Sequence, residues 1–403
     1  MSDLPPIVCI SNAEWDAEIP TNRQQIMRRF AEHTRVMFVE APLPVLGSYI
    51  GQSKRRERRR GWKRDGKVDI LQAWDWIPYP IAQRSQAISR GVDSSFRHYV
   101  RRHWQTLGWP SPIVWIFAPD AGNLVGAFDE RLSVYHCVDD FTAAEQFNHY
   151  RRVAAYDECK SEEFLARVVD IVLTTAQPLY ERWHSVNIDT YLLPNVADTA
   201  LFRQALDPGP EHPALRGIPQ PRIAFIGALD RYKVDFELLA GVAQRCPELQ
   251  FVCVGPTGAG DRTPRSSLPQ QANLHYVGTL PQIELPDVLR HCAACIIPYH
   301  LNEYTTAVSP LKLYEYLAAG MPIVATPITS LRDKDALGLY LAEPEPAAFA
   351  ERVRAVLGAD KQTRQRISDA AQKYSWSRRM EELIQLLDVY LLRMAAERTS
   401  PQP

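Results

Sequence analysis

The stretch SPLKLYEYLAAGMPIVAT, residues 309–326, decides the fold class because it contains the start and end signals of a helix followed by a strand. Its serine suits the N-cap, and Pro310 suits the first position of a helix. Gly320 favours the left-handed conformation that ends a helix, and the proline two residues later prevents its continuation into the apolar run IVAT. Since the apolar run IIPY precedes it at 296–299, the pattern predicts a strand–helix–strand unit of an α/β domain.

The start of this helix is also a candidate phosphate site. The first amides of a helix have no acceptor within the helix, and the helix dipole places partial positive charge on them, so the amides of Leu311 and Lys312 suit a phosphate. The Lys312 side chain adds a formal charge, and the carboxylate of Glu315, three residues on, suits a ribose diol. The alternative is an ordinary capped helix between two strands, which carries the same signals.

These residues closely resemble the donor-binding helix of GT-B glycosyltransferases, in particular the retaining glycosyltransferase family 4. Further segments match in the right order: LLPNVADTALF from Leu192, RIAFIGALDRYK from Arg222, LQFVCVG from Leu249 and NLHYVGTLPQIELPDVL from Asn273. The resemblance implies an α/β protein of GT-B fold, with two Rossmann-like, doubly wound parallel-sheet domains, an interdomain cleft and a C-terminal crossover helix. Members of this family transfer a sugar from a nucleotide diphosphate sugar.

Strands and helices alternate in both halves of the chain, which is the pattern of doubly wound parallel sheets. The strands predicted in the first half are PIVCIS, VMFVEA, VDILQAW, PIVWIFAP, LSVYHCV and DIVLTTA. The interval 207–221 is rich in proline and glycine and is the predicted linker. We therefore expect an acceptor-side domain at 1–206, a nucleotide-sugar domain at 222–375, and a terminal helix and tail at 376–403 that return to the first domain.

The predicted donor site adds a second loop to the helix. Gly227 ends a strand and suits a close approach of the backbone to phosphate, and the resemblance assigns Lys233 to the leaving diphosphate. The alternative for Lys233 is a solvated turn lysine. Family members often have an arginine directly after this glycine, where the present chain has Ala228. They also often have a glutamate where the present chain has Ala307, so we expect Glu303, in the same loop, to contact the donor sugar instead. The predicted donor residues are Gly227, Lys233, Glu303, Ser309, Pro310, Leu311, Lys312 and Glu315.

The candidate catalytic residues lie at the end of the strand SVYHCV. Asp139 follows that strand, at the carboxyl edge where α/β sheets place ligands. Many relatives have a His-Asp pair there, whereas in this chain His136 is displaced by two positions. The functional interpretation is that Asp139 or His136 contacts the transferred sugar or the acceptor hydroxyl. The alternative is that Asp139 caps the next helix and that His136 is a packed core residue.

The first loop supplies candidate acceptor-side residues. It is polar, and Trp15 in it offers an aromatic ring that could stack on a sugar. Asn22 opens the first predicted helix, which would face the cleft. A buried tryptophan is the competing interpretation of Trp15.

Composition indicates an ordinary globular protein, with 46% hydrophobic and 23% charged residues in 403. The net charge of -1 argues against bulk nucleic-acid binding. We find no segment that resembles a signal peptide or a membrane span, so we expect a cytoplasmic protein whose seven cysteines are reduced. The pair Cys292 and Cys295 lacks a second pair at zinc-ligand spacing, which favours buried packing roles.

One charge run stands apart from this balance. The segment KRRERRRGWKRDGK, residues 54–67, contains nine basic and two acidic residues, with Trp62 among them. We expect it to form a loop that docks on an anionic membrane surface near a lipid-linked acceptor. The alternatives are a solvated loop or a groove for an anionic acceptor.

The predicted function is therefore a glycosyltransferase that moves a sugar from a nucleotide diphosphate sugar to a hydroxyl of a saccharide or lipid-linked acceptor, in cell-envelope or exopolysaccharide synthesis. We expect retention of configuration, no cofactor and no required metal ion. Two alternatives remain, a GT-B-fold epimerase of nucleotide sugars and a degenerate, non-catalytic sugar-binding protein; the second is suggested by Ala228 and Ala307.

Overall fold

The structure, a computed structural model of the chain, describes residues 4–17, 21–40, 43–44, 61–72, 74–75, 86–141, 143, 158, 161–257, 265–332 and 334–399. These residues divide into two compact units. Unit 1 comprises Met1–Leu193 with Met380–Pro403, and unit 2 comprises Pro194–Arg379. The predicted linker at 207–221 is therefore wrong as a boundary. It lies within unit 2, because Phe202, Ala205 and Leu215 on either side of its start belong to the hydrophobic core of that unit.

Unit 1 is built on a sheet with the strand order β10-β9-β8-β7-β1-β2-β5-β4. Its strands are β1 Ile7–Ile10, β2 Val36–Val39, β4 Gly61–Asp65, β5 Val68–Gln72, β7 Ile113–Ile116, β8 Leu132–Cys137, β9 Ile171–Thr174 and β10 Thr190–Leu192, while β3 Leu43–Pro44 and β6 Trp74–Asp75 pair separately. The neighbouring helices are α1 Asn22–His33, α2 Gln86–Leu107, α3 Glu162–Val168 and α4 Gln177–His184. All the strands predicted for this half are confirmed. Each of them pairs in parallel with a neighbouring predicted strand, as fully buried apolar runs require.

The edge strand β4 corrects one prediction. It pairs antiparallel with β5 from Gly61 to Asp65, so the second half of the basic run is a strand rather than a loop. Its charged, exposed side chains explain why the sequence does not read as a strand, and such side chains also protect a sheet edge from pairing with other chains. Residues 54–60 of the run lie outside the described residues.

Unit 2 is built on a sheet with the strand order β13-β12-β11-β14-β15-β16. Its strands are β11 Arg222–Ile226, β12 Gln250–Val254, β13 Leu274–Gly278, β14 Ala294–Ile297, β15 Ile323–Ala325 and β16 Leu339–Leu341. Its helices are α5 Thr199–Arg203, α6 Phe236–Arg245, α7 Leu285–Arg290, α8 Glu303–Thr306, α9 Leu311–Ala318, α10 Thr329–Arg332, α11 Pro346–Ala355 and α12 Lys361–Ala371. The last helix, α13 Trp376–Thr399, begins in unit 2 and belongs to unit 1 from Met380 onward.

Each sheet reverses its strand order at one place. In unit 1 this happens between β1 and β7, and in unit 2 between β11 and β14. At such a switch point the loops after the two strands diverge, which leaves a crevice outside their carboxyl ends where α/β proteins bind ligands. The topology therefore gives each unit its own candidate position for a site.

Glycines with positive φ close the carboxyl ends of the three neighbouring strands β11, β12 and β13. Gly227 has φ 143°, Gly255 has φ 145°, and Gly278 has φ 82°. They form a row, because the Gly227 amide donates to the Val254 carbonyl and the Gly255 amide donates to the Gly278 carbonyl, both at 2.8 Å. A Cβ atom on Gly255 would lie 2.1 Å from the Gly227 carbonyl oxygen, so the backbone itself fills that space.

Gly255→Ala is therefore expected to destabilise unit 2 strongly, because a backbone atom cannot move aside without breaking the row. Gly278→Ala is the matched control, since Gly278 has positive φ and none of the described residues has an atom within 4 Å of the new Cβ. We expect the control to cost about 1–2 kcal/mol from backbone strain alone, and Gly255→Ala to cost clearly more. Thermal denaturation followed by circular dichroism measures both, and equal losses would show that the close approach is unimportant.

Candidate functional site

The centre of the site in unit 2 is the amino group of Lys312, at the switch point between β11 and β14. Lys312 is in the first turn of α9 and is only 7% exposed. Its Nζ donates to the Tyr299 hydroxyl at 2.7 Å and lies 4.2 Å from the ring centroid of Phe225 and 4.9 Å from that of Tyr299. A Cβ atom on Gly227 would lie 2.5 Å from this nitrogen. The predicted residues Lys312 and Gly227 are thus in direct contact.

Burial lowers the pKa of Lys312 well below its ordinary value, and the neighbouring cation of Lys233 lowers it further. The carboxylates of Glu315 and Asp230 act in the opposite direction but do not prevent the net lowering. A buried amine with a lowered pKa in a crevice is a common property of functional sites.

Lys233 is held by a carboxylate that the sequence analysis did not single out. Its Nζ lies 3.0 Å from Oδ2 of Asp230, which is 2% exposed, and the Tyr232 hydroxyl donates to the same oxygen at 3.2 Å. Lys233 is therefore not a freely solvated turn residue. The spacing of three residues between Asp230 and Lys233 in a turn was the available signal for this pair.

Backbone hydrogen bonds fix the two loops at the switch point against each other. The Asp235 amide donates to the Pro298 carbonyl, and the His300 amide donates to the Lys233 carbonyl, both at 2.9 Å. The loop that carries Lys233 and the loop that carries Tyr299 are consequently one unit of structure. Lys233 is thus held in place by the backbone as well as by its pair with Asp230.

Glu315 lies one turn further along α9, where Gln282 donates to its Oε1 at 3.1 Å. Burial raises the pKa of Glu315, while the Gln282 hydrogen bond and the Lys312 charge lower it. Gln282 follows the turn at Gly278, which ends β13. The carboxylate predicted for a ribose is therefore tied to the segment that follows β13.

The start of α9 differs from the prediction by one residue. The helix begins at Leu311, and Pro310 occupies the cap position with an extended backbone (φ -68°, ψ 117°). Ser309 cannot act as the cap, because its carbonyl is turned away to accept a hydrogen bond from Asn195 at 2.6 Å. The amides of Leu311 and Lys312 remain the first two of the helix, so they lack an acceptor within it.

Glu303 is the predicted donor residue that the structure does not bring to this cluster through a described contact. It opens the short helix α8 and is exposed, whereas Ala307, at the position of the family glutamate, is 2% exposed. Asn302 caps α8 and donates to the Tyr232 carbonyl at 2.8 Å, so α8 is anchored to the loop that carries Lys233. Glu303 therefore lies on a helix that is joined to the Lys233 loop, but no described contact links its own side chain to Lys233 or Lys312.

In unit 1, the two predicted catalytic residues differ in their surroundings: His136 stacks on Phe117, which follows β7, and Asp139 lies near Arg23. His136 is 2% exposed, and its ring stacks on Phe117 with centroids 5.0 Å apart. Asp139 is partly exposed, and Nη2 of Arg23 lies 3.9 Å from its Oδ2. The Arg23 guanidinium also lies over the Phe117 ring, 5.8 Å from its centroid. Arg23, in the first turn of α1, is not among the predicted site residues.

The structure separates Trp15 from this cluster. Trp15 is 1% exposed, its indole nitrogen donates to Asp65 at 2.8 Å, and its ring packs edge-on against Phe38 at 5.0 Å. The prediction that it stacks on a sugar is therefore wrong, because no face of the ring is open to a ligand. Asn22 is the first residue of α1, as predicted, but it is only 6% exposed.

A buried acidic network lies behind Asp139. Asp140 is 3% exposed and forms a bidentate pair with Arg182, with oxygen–nitrogen distances of 2.9 and 2.6 Å. Glu162 accepts hydrogen bonds from the Tyr135 hydroxyl and from the Cys137 thiol. Burial is the largest cause that raises the pKa of Glu162 to about 7.

The described cysteines are unpaired thiols in the two cores: Cys9, Cys137, Cys246, Cys253, Cys292 and Cys295. Burial raises the pKa of Cys292 to about 12, which keeps it a neutral thiol. Among the described residues no group of three or more His, Cys, Asp or Glu side chains is arranged to hold a metal ion. The same residues include no helix with the length and apolar character that crossing a membrane requires.

Comparison with known proteins agrees with this arrangement. Residues 220–359 match the family model described as Glycosyl transferases group 1. A putative teichuronic acid biosynthesis glycosyltransferase, TuaH of Bacillus subtilis (strain 168), is 30% identical over 200 residues, which are 49% of this chain and 47% of TuaH. The chain thus matches about half the length of this relative.

Solved structures with the same fold cover nearly the whole chain. Sucrose-phosphate synthase from Thermosynechococcus elongatus matches with a TM-score of 0.66 at 15% identity, over 96% of this chain and 100% of that one. Anabaena HepE in complex with UDP and glucose matches with a TM-score of 0.62 at 13% identity, over 95% of this chain and 99% of HepE. At such low identity these matches establish the fold, which is GT-B as the resemblance implied.

The raised pKa of Glu162 gives a testable pH dependence. Between its ordinary value near 4.3 and about 7, the folded protein keeps a proton that the unfolded chain releases. Stability from this group is therefore complete below pH 4 and is lost as the pH rises through 7. Glu162→Gln should match the wild type near pH 5 and exceed it at pH 8, by up to about 3 kcal/mol.

Melting temperatures at pH 5, 6, 7 and 8 test this expectation. Glu163→Gln is the control, because Glu163 is exposed and, among the described residues, pairs with Arg167 one turn along α3. A difference between Glu162→Gln and the wild type that stays constant with pH would contradict the buried-carboxyl interpretation.

Proposed function

We propose that this chain, whose residues 220–359 carry a group 1 glycosyltransferase domain within a GT-B fold, transfers a sugar from a nucleotide diphosphate sugar to a hydroxyl acceptor. The observation that carries the proposal is the Lys312 ammonium beneath Gly227 at the switch point of unit 2. Glycine removes the side chain that would separate an incoming phosphate from this cation. The amides of Leu311 and Lys312 open beside it, at the positive end of α9.

The chemistry proposed for this arrangement is stabilisation of the leaving diphosphate. As the bond between the sugar and the phosphate breaks, negative charge accumulates on the diphosphate oxygens. Lys312, Lys233 and the first amides of α9 are held in place before the reaction, so they stabilise that charge without reorganising. Glu315 is proposed to accept hydrogen bonds from the ribose hydroxyls of the donor, and Glu303 to contact the sugar.

We further propose that the reaction retains configuration and needs no divalent cation. The two lysines and the helix terminus supply the positive charge that a metal ion contributes in metal-dependent transferases. Retention follows from the family resemblance, in which the acceptor attacks from the face that the diphosphate leaves.

In unit 1, we assign Asp139 rather than His136 to the acceptor hydroxyl or the transferred sugar. Asp139 is partly exposed and lies 3.9 Å from Nη2 of Arg23, whereas His136 is enclosed by Phe117 and Trp115. Carboxylate oxygens accept hydrogen bonds, so the partly exposed side chain of Asp139 is suited to accept one from a hydroxyl.

The pathway and the location of the protein are proposals of the same kind. The partial match to TuaH, named for teichuronic acid biosynthesis, supports a role in cell-envelope or exopolysaccharide synthesis. We place the protein in the cytoplasm, with unit 1 docking on the anionic inner face of the plasma membrane near a lipid-linked acceptor.

The described part of the basic run supports such docking. Trp62 on β4 is 55% exposed, and its ring lies 5.9 Å from that of His103 on α2. Exposed arginines, Arg97, Arg101 and Arg102, continue the surface along α2. Lys63, Arg64 and Arg101 already pair with Asp16, Asp69 and Asp129, so the unpaired part of the surface charge is smaller than the sequence alone suggests.

Nucleotide binding tests the proposed function directly. A thermal-shift panel of uridine, guanosine, adenosine and thymidine diphosphates should raise the melting temperature with at least one member, and we begin with UDP because HepE is seen with it. Glu315→Gln should weaken binding of that nucleotide by roughly 1.5–3 kcal/mol, the value of one charge-assisted hydrogen bond. Calorimetry measures the affinity, with Glu284→Gln as control because Glu284 pairs with His212 instead. Equal affinities would remove Glu315 from the ribose.

Membrane docking is tested by sedimentation with liposomes. We expect the protein to bind vesicles containing anionic lipid and not neutral vesicles, and to be released by salt, because each cation near such a surface contributes about 1 kcal/mol. Replacing Trp62, Arg97 and Arg102 by serine should weaken binding. Replacing Lys361 and Lys373 of unit 2 should leave it unchanged. Equal binding to neutral and anionic vesicles would end the proposal.

A further inference from the structure

We infer that Lys312 takes up a proton when a nucleoside diphosphate binds over Gly227, so that donor binding and protonation of this lysine are linked. The inference rests on the proposed function and adds to it. It concerns the state of the site before the donor arrives. In the free protein Lys312 is a neutral amine, and the donor turns it into the cation that the leaving diphosphate requires.

The surroundings of Nζ suit a neutral amine at least as well as a cation. The side chain is 7% exposed, and its nitrogen is packed between the rings of Phe225 and Tyr299. The Tyr299 hydroxyl, at 2.7 Å, can accept from an ammonium or donate to an amine. Cation–π contacts return only about 2 kcal/mol, whereas an ammonium moved out of water loses several.

The charged groups around Lys312 do not compensate for this loss. Lys233, in the loop after β11, repels the charge. The two carboxylates that attract it are already engaged: Asp230 in the same loop pairs with Lys233 at 3.0 Å, and Glu315 on α9 itself accepts from Gln282.

The tyrosine that contacts Lys312 is neutral. Burial raises the pKa of Tyr299, which follows β14. Burial and the charge of Lys233 therefore outweigh the two engaged carboxylates, in agreement with the lowered pKa of Lys312 in the free protein.

A diphosphate favours the protonated form of Lys312, because Gly227 has no side chain and allows the diphosphate to approach Nζ closely. A Cβ atom there would already meet Nζ at 2.5 Å, so only backbone separates the amine from a ligand that lies on the glycine. Negative charge at that position raises the pKa of the amine, and the proton comes from the solvent. The complex then holds more protons than the free protein, so affinity falls as pH rises between the two pKa values, by at most tenfold per pH unit.

Calorimetry in two buffers with different ionisation enthalpies counts the protons directly. We use the nucleoside diphosphate that binds most tightly in the panel above, at pH 8, where its terminal phosphate is fully ionised because its second pKa is near 6. We expect the wild type to take up a substantial fraction of one proton. Lys312→Met should bind more weakly and take up none.

Lys334→Met is the matched control. Lys334 also donates to a tyrosine hydroxyl, that of Tyr314 at 2.6 Å, and lies over the rings of Tyr314 and Tyr374, but it is more exposed and is not in contact with Gly227. We expect this variant to bind with the same affinity and the same proton uptake as the wild type.

The possible outcomes are distinct. Binding by the wild type without proton uptake, or with equal uptake in Lys312→Met, overturns the inference and leaves the proposed function standing. Failure of every nucleotide to bind overturns the proposed function and the inference together. If circular dichroism shows that Lys312→Met does not fold, the affinity of the wild type between pH 7 and 10 decides: a fall with rising pH supports the inference, and a flat profile overturns it.

Discussion

The switch point of unit 2 is organised around one buried amino group, that of Lys312. Lys312 stands where β11 and β14 diverge, under a glycine and between two aromatic rings. A positive charge at this position is unfavourable, because burial removes it from water and the Tyr299 hydroxyl replaces only part of that hydration. The anion site that we propose over Gly227 would use this property, since a nearby negative charge favours the cationic form that the free protein disfavours.

This arrangement is possible because the backbone around it is fixed. The glycine row at Gly227, Gly255 and Gly278 closes the ends of three strands, and hydrogen bonds at 2.9 Å join the loops after β11 and β14. Side chains on such loops have little freedom to adjust. The Asp230–Lys233 pair therefore presents its ammonium group at a defined place beside Lys312. Pre-organised charge of this kind is the main contribution a protein makes to departure of a diphosphate.

Unit 1 uses its switch point differently. The charges there are largely paired within the protein: Asp140 forms a bidentate pair with Arg182, and Asp139 is accompanied by Arg23. Only Asp139 of these carboxylates is partly exposed, which is why it and not the buried His136 is suited to meet a polar ligand. Glu162, in the acidic network behind Asp139, has a raised pKa, so the stability of this region is expected to depend on pH.

The sequence by itself predicted the two parallel sheets and the helix α9, because capping, glycine positions and apolar runs are local signals. The donor-site roles of Gly227, Lys233, Lys312 and Glu315 stay predictions. It did not determine partners that are distant in the chain, such as Tyr299 for Lys312, Gln282 for Glu315 or Arg23 for Asp139. Tertiary structure also decided that Trp15 is a core residue, that β4 is a strand, and that Asn195 holds Ser309. The physical reason is the same in each case. The burial, pKa and hydrogen-bond partners of a side chain depend on which strands become neighbours, and the order of strands in a sheet depends on the whole chain rather than on any one segment.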